Sequence, residues 1–441
     1  MKIAVCGAGY TGLAAGMRLA QAGHEVTILE RSGDIGGLAG DFAIHGCPVE
    51  KAYHFLYPTD EHIKTFLAEL GMADRLVWCE SSQCCYYQGR IYPFNNELDL
   101  LKLGIMPFVD RIRMGATVFL LQHTKRGWKK LSRITAYDWL KRWAGPTVLE
   151  RFWAPLLRGK FNRHYKDISM QWLWGRLKQR MDAKRPGEKR EKLGQIKGGF
   201  RELTTAMARA VERAGGVIRT NAGVTAIRGD GGRAVLDVNG KTERYDGALF
   251  TGPSPVFADV VAGHPGIDPA YLAGLRSIDY LGAIVHLFTS DQEITPYYWH
   301  NICETEWPFL VLINLTAMRD RADFAGKYVY YLAAYVPHEH EYFTIERPAL
   351  FESWYGALAK MWPKFDRSQV REEHLFKMKY AQHVVGCGYD RKIPPFKSPI
   401  PGVYLANFSQ IYPIDRGTNL AIRDGERVAR QMMRELVPAS R

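Results

Sequence analysis

At 441 residues the chain is longer than one hydrophobic core usually supports, so two domains, or one with a large insertion, are expected. Its 46% hydrophobic and 24% charged residues suit a globular protein, and no apolar run approaches the roughly 18 residues that would cross a bilayer. The net charge of +13 is lopsided: residues 100–197 carry 24 Lys plus Arg against 7 Asp plus Glu, the remainder 35 against 39. Such a basic stripe suits nucleic acid, an anionic membrane surface or a phosphorylated substrate.

The first forty residues form a unit whose parts agree. Residues 1–6 read as a short buried strand running into Gly7-Ala8-Gly9-Tyr10-Thr11-Gly12, then a helix stopped at Gly23, then a second strand over residues 25–30. In such a βαβ unit the first glycine permits a tight turn and the third lets helix and strand pack closely. The second lets backbone N–H groups approach a pyrophosphate at the positive helix N-terminus. Glu30 is placed to hydrogen-bond a ribose hydroxyl. A second glycine cluster, Gly36-Gly37-Leu38-Ala39-Gly40, is what a longer dinucleotide passing close to the backbone would need. Because the first strand begins at once, no leader is expected. The protein is expected in the cytoplasm, or peripheral at the inner face of a membrane.

Residues 48–56 are polar and aromatic without clear periodicity, and residues 61–70 predict a helix stopped by Gly71. Residues 78–195 predict a hairpin turning at Gly89 and helices over 98–103, 109–122 and 136–143, each with an apolar and a basic face. The charged run 183–192 breaks that pattern and reads as a solvated loop. The whole block is expected to be a mostly helical, basic insertion covering the substrate, unless its cations merely snorkel into water.

From residue 196 an α/β pattern returns, with a helix from Gly198 to about Arg213 stopped by Gly215-Gly216, and strands at 217–220, 224–227, 234–238 and 248–250; Asn239-Gly240 is a hairpin turn. Residues 270–395 alternate strands (280–289, 309–314, 329–336) with a helix over 350–361. Their dense Tyr and Trp either wall a pocket or form ordinary core. His338 and His340 lack the further ligands of a metal site, so no metal is expected. Seven cysteines, odd in number and without C-x-x-C spacing, argue against zinc and against a disulfide framework. A strand at 402–407 and a helix running to about residue 434 close the chain.

Gly7-x-Gly9-x-x-Gly12, Glu30-Arg31 and Gly36-Gly37-Leu38-Ala39 together resemble the FAD-binding start of the flavoprotein superfamily of amine oxidases, protoporphyrinogen oxidase, phytoene desaturases and UDP-galactopyranose mutase. The resemblance implies an α/β fold with a discontinuous Rossmann-type FAD-binding domain, made of residues 1–75, 196–268 and 396–441. A substrate domain of mixed sheet would follow from 269–395, and the helical, basic insertion from 76–195. It implies FAD as cofactor, held by Gly7, Ala8, Gly9, Tyr10, Thr11, Gly12, Glu30, Arg31, Gly37, Leu38 and Ala39. Val224 would meet adenine through its backbone, and Thr251 and Gly252 would lie near the phosphates. The last strand of the superfamily usually ends in Gly and an acid; Ala406 and Asn407 stand there, and Asn407 could still bond a ribityl hydroxyl. Gly417, Thr418, Asn419 and Leu420 would open a helix whose positive end favours an anionic reduced flavin.

By motif position the candidate catalytic groups are His54, Tyr412 and Arg416: His54 as a polar group over the ring, Arg416 as an electrostatic partner of flavin or substrate. The plainer alternatives are a buried loop histidine and a structural arginine. Monoamine oxidases attach flavin through a cysteine upstream of the matching strand. Cys387 stands in a different context, so the flavin is expected to be noncovalent.

The activity implied is that of an FAD-dependent oxidoreductase (oxidase, desaturase or dehydrogenase). It would move a hydride from an apolar, anionic or membrane-borne substrate to flavin N5. The competing class is a non-redox flavin mutase acting on a nucleotide sugar, which the basic segment also suits. Partners expected are a small-molecule or lipid-like substrate and an anionic membrane surface. Nucleic acid is disfavoured because the basic helices carry no recognised binding motif.

Overall fold

Two sheets organise the chain, and the computed structural model describes them within residues 1–123, 128–184 and 190–436. The first is five-stranded and wholly parallel, in the order Val403–Leu405, Gly247–Phe250, Lys2–Cys6, Glu25–Leu29, Val217–Arg219. Its strands are near-continuously apolar because both faces are covered. Along the first strand Ile3 and Val5 point to one core, with the helices Tyr10–Gln21, Phe200–Arg213 and Thr418–Glu435. Ala4 and Cys6 point to the other, under the helix Ser254–Val261 and a three-stranded antiparallel sheet. In that small sheet Asn239 and Gly240 both take positive φ (48° and 78°), as a type I′ turn demands. The strand after the turn is Lys241–Tyr245, absent from the sequence expectation; Gly247–Phe250 leaves for the parallel sheet.

The second sheet has seven strands, in the order Val370–His383, Tyr280–Ser290, Tyr328–Val336, Val311–Asn314, Trp299–Ile302, Gln83–Tyr87, Arg90–Pro93. All neighbours are antiparallel except Trp299–Ile302 beside Gln83–Tyr87. The hairpin turning at Gly89 thus extends this sheet. One face buries Phe288, Tyr330 and Leu332 against Leu350, Trp354 and Leu358 of the helix Arg347–Met361. The other buries Val285, Tyr331 and Ala333 and faces Tyr53, Phe55 and Tyr57, in the loop that leads away from the first sheet.

The insertion leaves through Leu76–Glu80 and returns through Lys192–Ile196, and these two strands pair antiparallel. Between them the helices Phe108–His123, Ala136–Trp143, Ala154–Phe161 and Met170–Ala183 share a core that includes Leu140, Phe161 and Trp172. Thr135 and Ser169 cap two of them with side-chain oxygens. Residues 185–189, the centre of the charged run read as a loop, lie outside the described residues. Among the described residues no helix is long and apolar enough to cross a membrane.

Candidate functional site

The glycine loop is cleared of side chains by necessity. At Gly7 (φ 115°) a Cβ would stand 2.3 Å from Thr251 Oγ1, and at Gly12 only 1.9 Å from the Gly7 carbonyl oxygen. At Gly9 a Cβ would make only an ordinary van der Waals contact, with Gly37 Cα at 3.8 Å. Glu30 pins this loop: its Oε2 accepts the Ala8 N–H at 2.8 Å, while Oε1 accepts from Ser32 N and Oγ. Thr251 ties the loop to the neighbouring strand by donating its N–H and hydroxyl to Cys6 O. Leu38 is half-buried and Ala39 buried beneath the second glycine cluster. Arg31 is exposed, its stem beside Gly223; the next residue, Val224, pairs with Val238 at the start of the small sheet.

Two helices present uncapped N-termini at this site. Gly9 is the N-cap of Tyr10–Gln21 and Gly417 that of Thr418–Glu435; neither has a side-chain cap, and neither first turn contains an acid. Their leading N–H groups therefore require an acceptor from outside, and the helix dipoles favour a negative one. The helices are in direct contact: a Cβ on Gly425 would lie 2.5 Å from Thr11 O. A cradle without side chains and two uncapped helix starts, on helices packed against each other, fit an extended anionic dinucleotide. Gly7, Gly9, Gly12 and Gly417, among the residues expected to hold FAD, supply that cradle and those helix starts.

Beyond the cradle, the loop at residues 52–57 meets the seven-stranded sheet. The Tyr53 ring stands edge-on to Trp299 and Tyr331, with centroids 5.2 and 6.0 Å apart. Burial, reinforced by Tyr335, raises the Tyr53 hydroxyl well above its usual range, so it stays protonated. His54 is held by Nδ1 against Ala52 O at 2.7 Å. Burial, with the nearby Arg416 cation adding to it, lowers its pKa to about 4. At neutral pH its Nδ1 carries the proton and Nε2 keeps an accepting lone pair.

Arg416 donates from Nη2 to Tyr335 Oη at 3.2 Å, while its buried Nε has no partner. Beside it, Asp415 accepts from Lys160 Nζ at 3.0 Å and lies 3.7 Å from Arg176 Nε; its Oδ1 is also unpartnered. Burial would raise the Asp415 carboxyl, but Lys160, Arg176 and Arg416 outweigh it and hold the group well below the usual carboxylate range. Three cations thus surround one carboxylate. Lys160 also lies 5.6 Å from the Trp172 ring and 5.7 Å from that of Tyr335. Tyr335 is in turn one wall of a cavity of about 480 Å³, lined also by Arg158, Arg163, Tyr165, Trp307 and His340. Arg158 stacks on Tyr165 and donates to its hydroxyl, and Arg163 pairs with Glu339 at the rim.

Several sequence expectations are corrected here. Tyr412 is not free to act on a substrate: its hydroxyl donates to Gln171 Oε1 at 2.9 Å and meets Ser169 Oγ at 3.1 Å, fastening the last segment to the insertion. Asn407 does not reach toward a ligand, because Nδ2 donates to Gly252 O and Ser254 Oγ while Oδ1 accepts from Ser409 N and Oγ. The Tyr10 side chain turns into the core to meet Phe200 O and Thr204. The last helix does open with Gly417 as N-cap and Thr418, Asn419 and Leu420 in its first turn, but the Asn419 side chain is engaged elsewhere, its Oδ1 accepting from Ile63 N. Of the dense aromatics between residues 270 and 395, Tyr298, Tyr330 and Tyr331 are core, whereas Trp307, Phe309 and Tyr335 line the cavity. His338 packs on Tyr380 and His340 accepts the Tyr342 N–H, and among the described residues no group of three suitable side chains could hold a metal. Cys387 is exposed, its thiol pushed up by burial of its sulfur and by Asp167 and Asp138.

Sequence reading missed Tyr53, Lys160, Arg176 and Asp415, which come from four separate stretches and meet around Tyr335, one of the dense aromatics of residues 270–395. The available signal was a lone cation inside an aromatic-rich helical run, as in Trp172-Leu-Trp174-Gly-Arg176.

Residues 10–433 match the family described as flavin containing amine oxidoreductase. AofH of Mycobacterium tuberculosis, named as a flavin-containing monoamine oxidase, is 23% identical over 285 residues, which are 62% of this chain and 61% of that one. The chain therefore spans about three fifths of the length of that relative. A crystal structure from Exiguobacterium sp. 255-15, named as a protoporphyrinogen oxidase, superposes with TM-score 0.79 at 16% identity, covering 98% of this chain and 99% of that one. Reduced UDP-galactopyranose mutase superposes with TM-score 0.75 at 14% identity, covering 99% and 96%. At these identities the likeness shows a shared fold.

Proposed function

Because this chain belongs to the flavin containing amine oxidoreductase family, whose cofactor is FAD, we propose that it oxidises a small molecule bearing an anionic group. The observation that supports this is the Arg416 Nε, buried and unpartnered among the described residues: Arg416 does not itself line the cavity, but it bonds Tyr335, which is one wall of a cavity lined also by Arg158 and Arg163. A buried guanidinium N–H without an acceptor costs about 1–3 kcal/mol, which an incoming oxygen would recover.

Gly7 to Gly12, Gly37 to Ala39, Thr251 and the helix start at Gly417 would hold FAD, with Glu30 near its ribose and Val224 near its adenine. When bound, FAD supplies the acceptor for a hydride. The protein's own groups bind and orient. Arg158 and Arg163 would attract the anion, and Arg416, fixed by Tyr335, would anchor it. His54, neutral, can accept a hydrogen bond or a proton at Nε2, whereas the protonated Tyr53 hydroxyl can donate. The aromatic walls exclude water and strengthen each of these contacts.

The arginine lining also favours a second reading, a non-redox mutase acting on a nucleotide sugar. Anaerobic mixing with a panel of amines and alcohols, each with and without a carboxylate or phosphate, separates the two. Bleaching of the flavin absorbance by anionic members alone is expected, and Arg416→Met should slow it by about a hundredfold. Turnover of a nucleotide sugar without bleaching would instead assign the mutase.

A further inference from the structure

We propose that the helix Phe108–His123 is a membrane-docking element that lies in the plane of an anionic phospholipid bilayer. Among the described residues ten large hydrophobic side chains are exposed, and nine of them fall between residues 98 and 143. They are ordered on the helix. Phe108 (60% exposed), Val109 (76%), Ile112 (48%) and Phe119 (61%) fall within an arc of about 120° at 100° per residue, while Met114, Thr117 and Leu121 face the insertion core. The helix is therefore apolar on two faces, not apolar on one and basic on the other. Its inner face is packed in the insertion core, whereas Phe108, Val109, Ile112 and Phe119 on its outer face stay exposed among the described residues.

The flanks are cationic. Arg111 and Arg113 border the exposed arc, and their guanidinium groups donate to backbone carbonyls of Leu101, Met106, Arg142 and Trp143 instead of to carboxylates. Their full charge is therefore left for an outside partner. Trp143, exposed, and Leu98 extend the apolar surface alongside, and Lys102, Lys130, Lys141 and Arg142 are exposed nearby. An apolar helix face bordered by Arg, Lys and Trp is the composition of an interfacial helix.

Charge decides between occupants. A second copy of the chain would bring the same strongly basic segment against itself, whereas an anionic lipid surface is its complement. The geometry agrees: sixteen residues make a helix about 24 Å long, too short to span a hydrocarbon core of about 30 Å but sufficient to lie on it. Docking stands independently of the redox chemistry, since none of these residues touches the cradle or the cavity.

The test uses the full, FAD-loaded chain with vesicles of phosphatidylcholine alone and of phosphatidylcholine with phosphatidylglycerol. Co-sedimentation is expected with the mixed vesicles at low salt, weaker by roughly tenfold or more at high salt or without the anionic lipid. Val109→Asp with Phe119→Ser should abolish it while leaving flavin content and the unfolding midpoint unchanged, and Lys141→Glu with Arg142→Glu should weaken it severalfold. Failure of the mixed vesicles to bind the wild type, or undiminished binding by the Val109→Asp/Phe119→Ser variant, would overturn the proposal. So would a dimer in solution that this variant converts to a monomer, since a second copy would then cover the face.

Discussion

At the glycine loop, positive potential comes from backbone N–H groups at two helix starts; in the insertion it comes from ammonium and guanidinium groups on long side chains. The first arrangement is rigid and needs empty space, so its residues are fixed by sterics: Gly12 has no alternative because Gly7 O occupies the position of a Cβ. The second tolerates many sequences, because a cation on a long stem can reach its partner from several helices. Lys160 and Arg176 reach Asp415 from different helices. One region is dictated residue by residue, the other by sign of charge.

The contrast breaks most visibly if Gly12→Val still binds FAD. A branched side chain there collides with backbone on one side and with Val5 on the other, so near-complete loss of the visible flavin band per mole of protein is expected. Next in size is Asp415→Ala, which leaves the half-buried Lys160 and Arg176 without the buried carboxylate they share. A loss of about 3–5 kcal/mol in denaturant unfolding is expected. An effect below about 1 kcal/mol would mean that the cations find other partners, and that this region is as forgiving inside as on its surface.

A smaller effect is set by pH. His300 is buried in the second sheet, its Nδ1–H donating to Leu312 O and its Nε2 accepting from Thr295, and burial lowers its pKa to about 4. Because the unfolded chain takes up a proton near the ordinary value of 6.5 and the folded one does not, its stability is complete above that value and lost as pH falls toward 4. His54, lowered to about 4, and His383, to about 3, act in the same direction. The thermal midpoint should fall from pH 6.5 to 4, with a slope of up to about 1.4 kcal/mol per pH unit for each group. His300→Gln should flatten it by one group's share. Least of all, Asp182→Asn removes an exposed i,i+4 pair with Lys178 on the helix that also carries Arg176, and should cost at most about 0.5 kcal/mol in the same assay. Together with Asp415→Ala it sharpens the distinction between buried and exposed charge within one helix.

The same contrast explains what could be read from sequence. Gly7, Gly9, Gly12 and the Asn239-Gly240 turn were legible because each is the answer to a local steric demand. The strand Val370–His383 was not: Arg371, Glu373, Lys377 and Lys379 interrupt its apolar alternation, as an edge strand allows, since only Tyr280–Ser290 pairs with it. The cluster of Tyr53, Tyr335, Lys160, Arg176 and Asp415 was hidden because nothing local tells a buried cation from a solvated one. Tyr412 and Asn407 were misplaced for the converse reason. The neighbours that occupy their hydrogen-bonding groups, Gln171 and Ser254, lie far away in sequence, where no motif position could reveal them.

The pairing of Leu76–Glu80 with Lys192–Ile196 places the departure and return of the inserted segment side by side. An excursion whose two ends already touch makes little demand on the framework that hosts it. Apart from the 83–93 hairpin, which the second sheet retains, a change in this segment's length would leave the spacing of its two anchor points, and hence the parallel sheet, undisturbed.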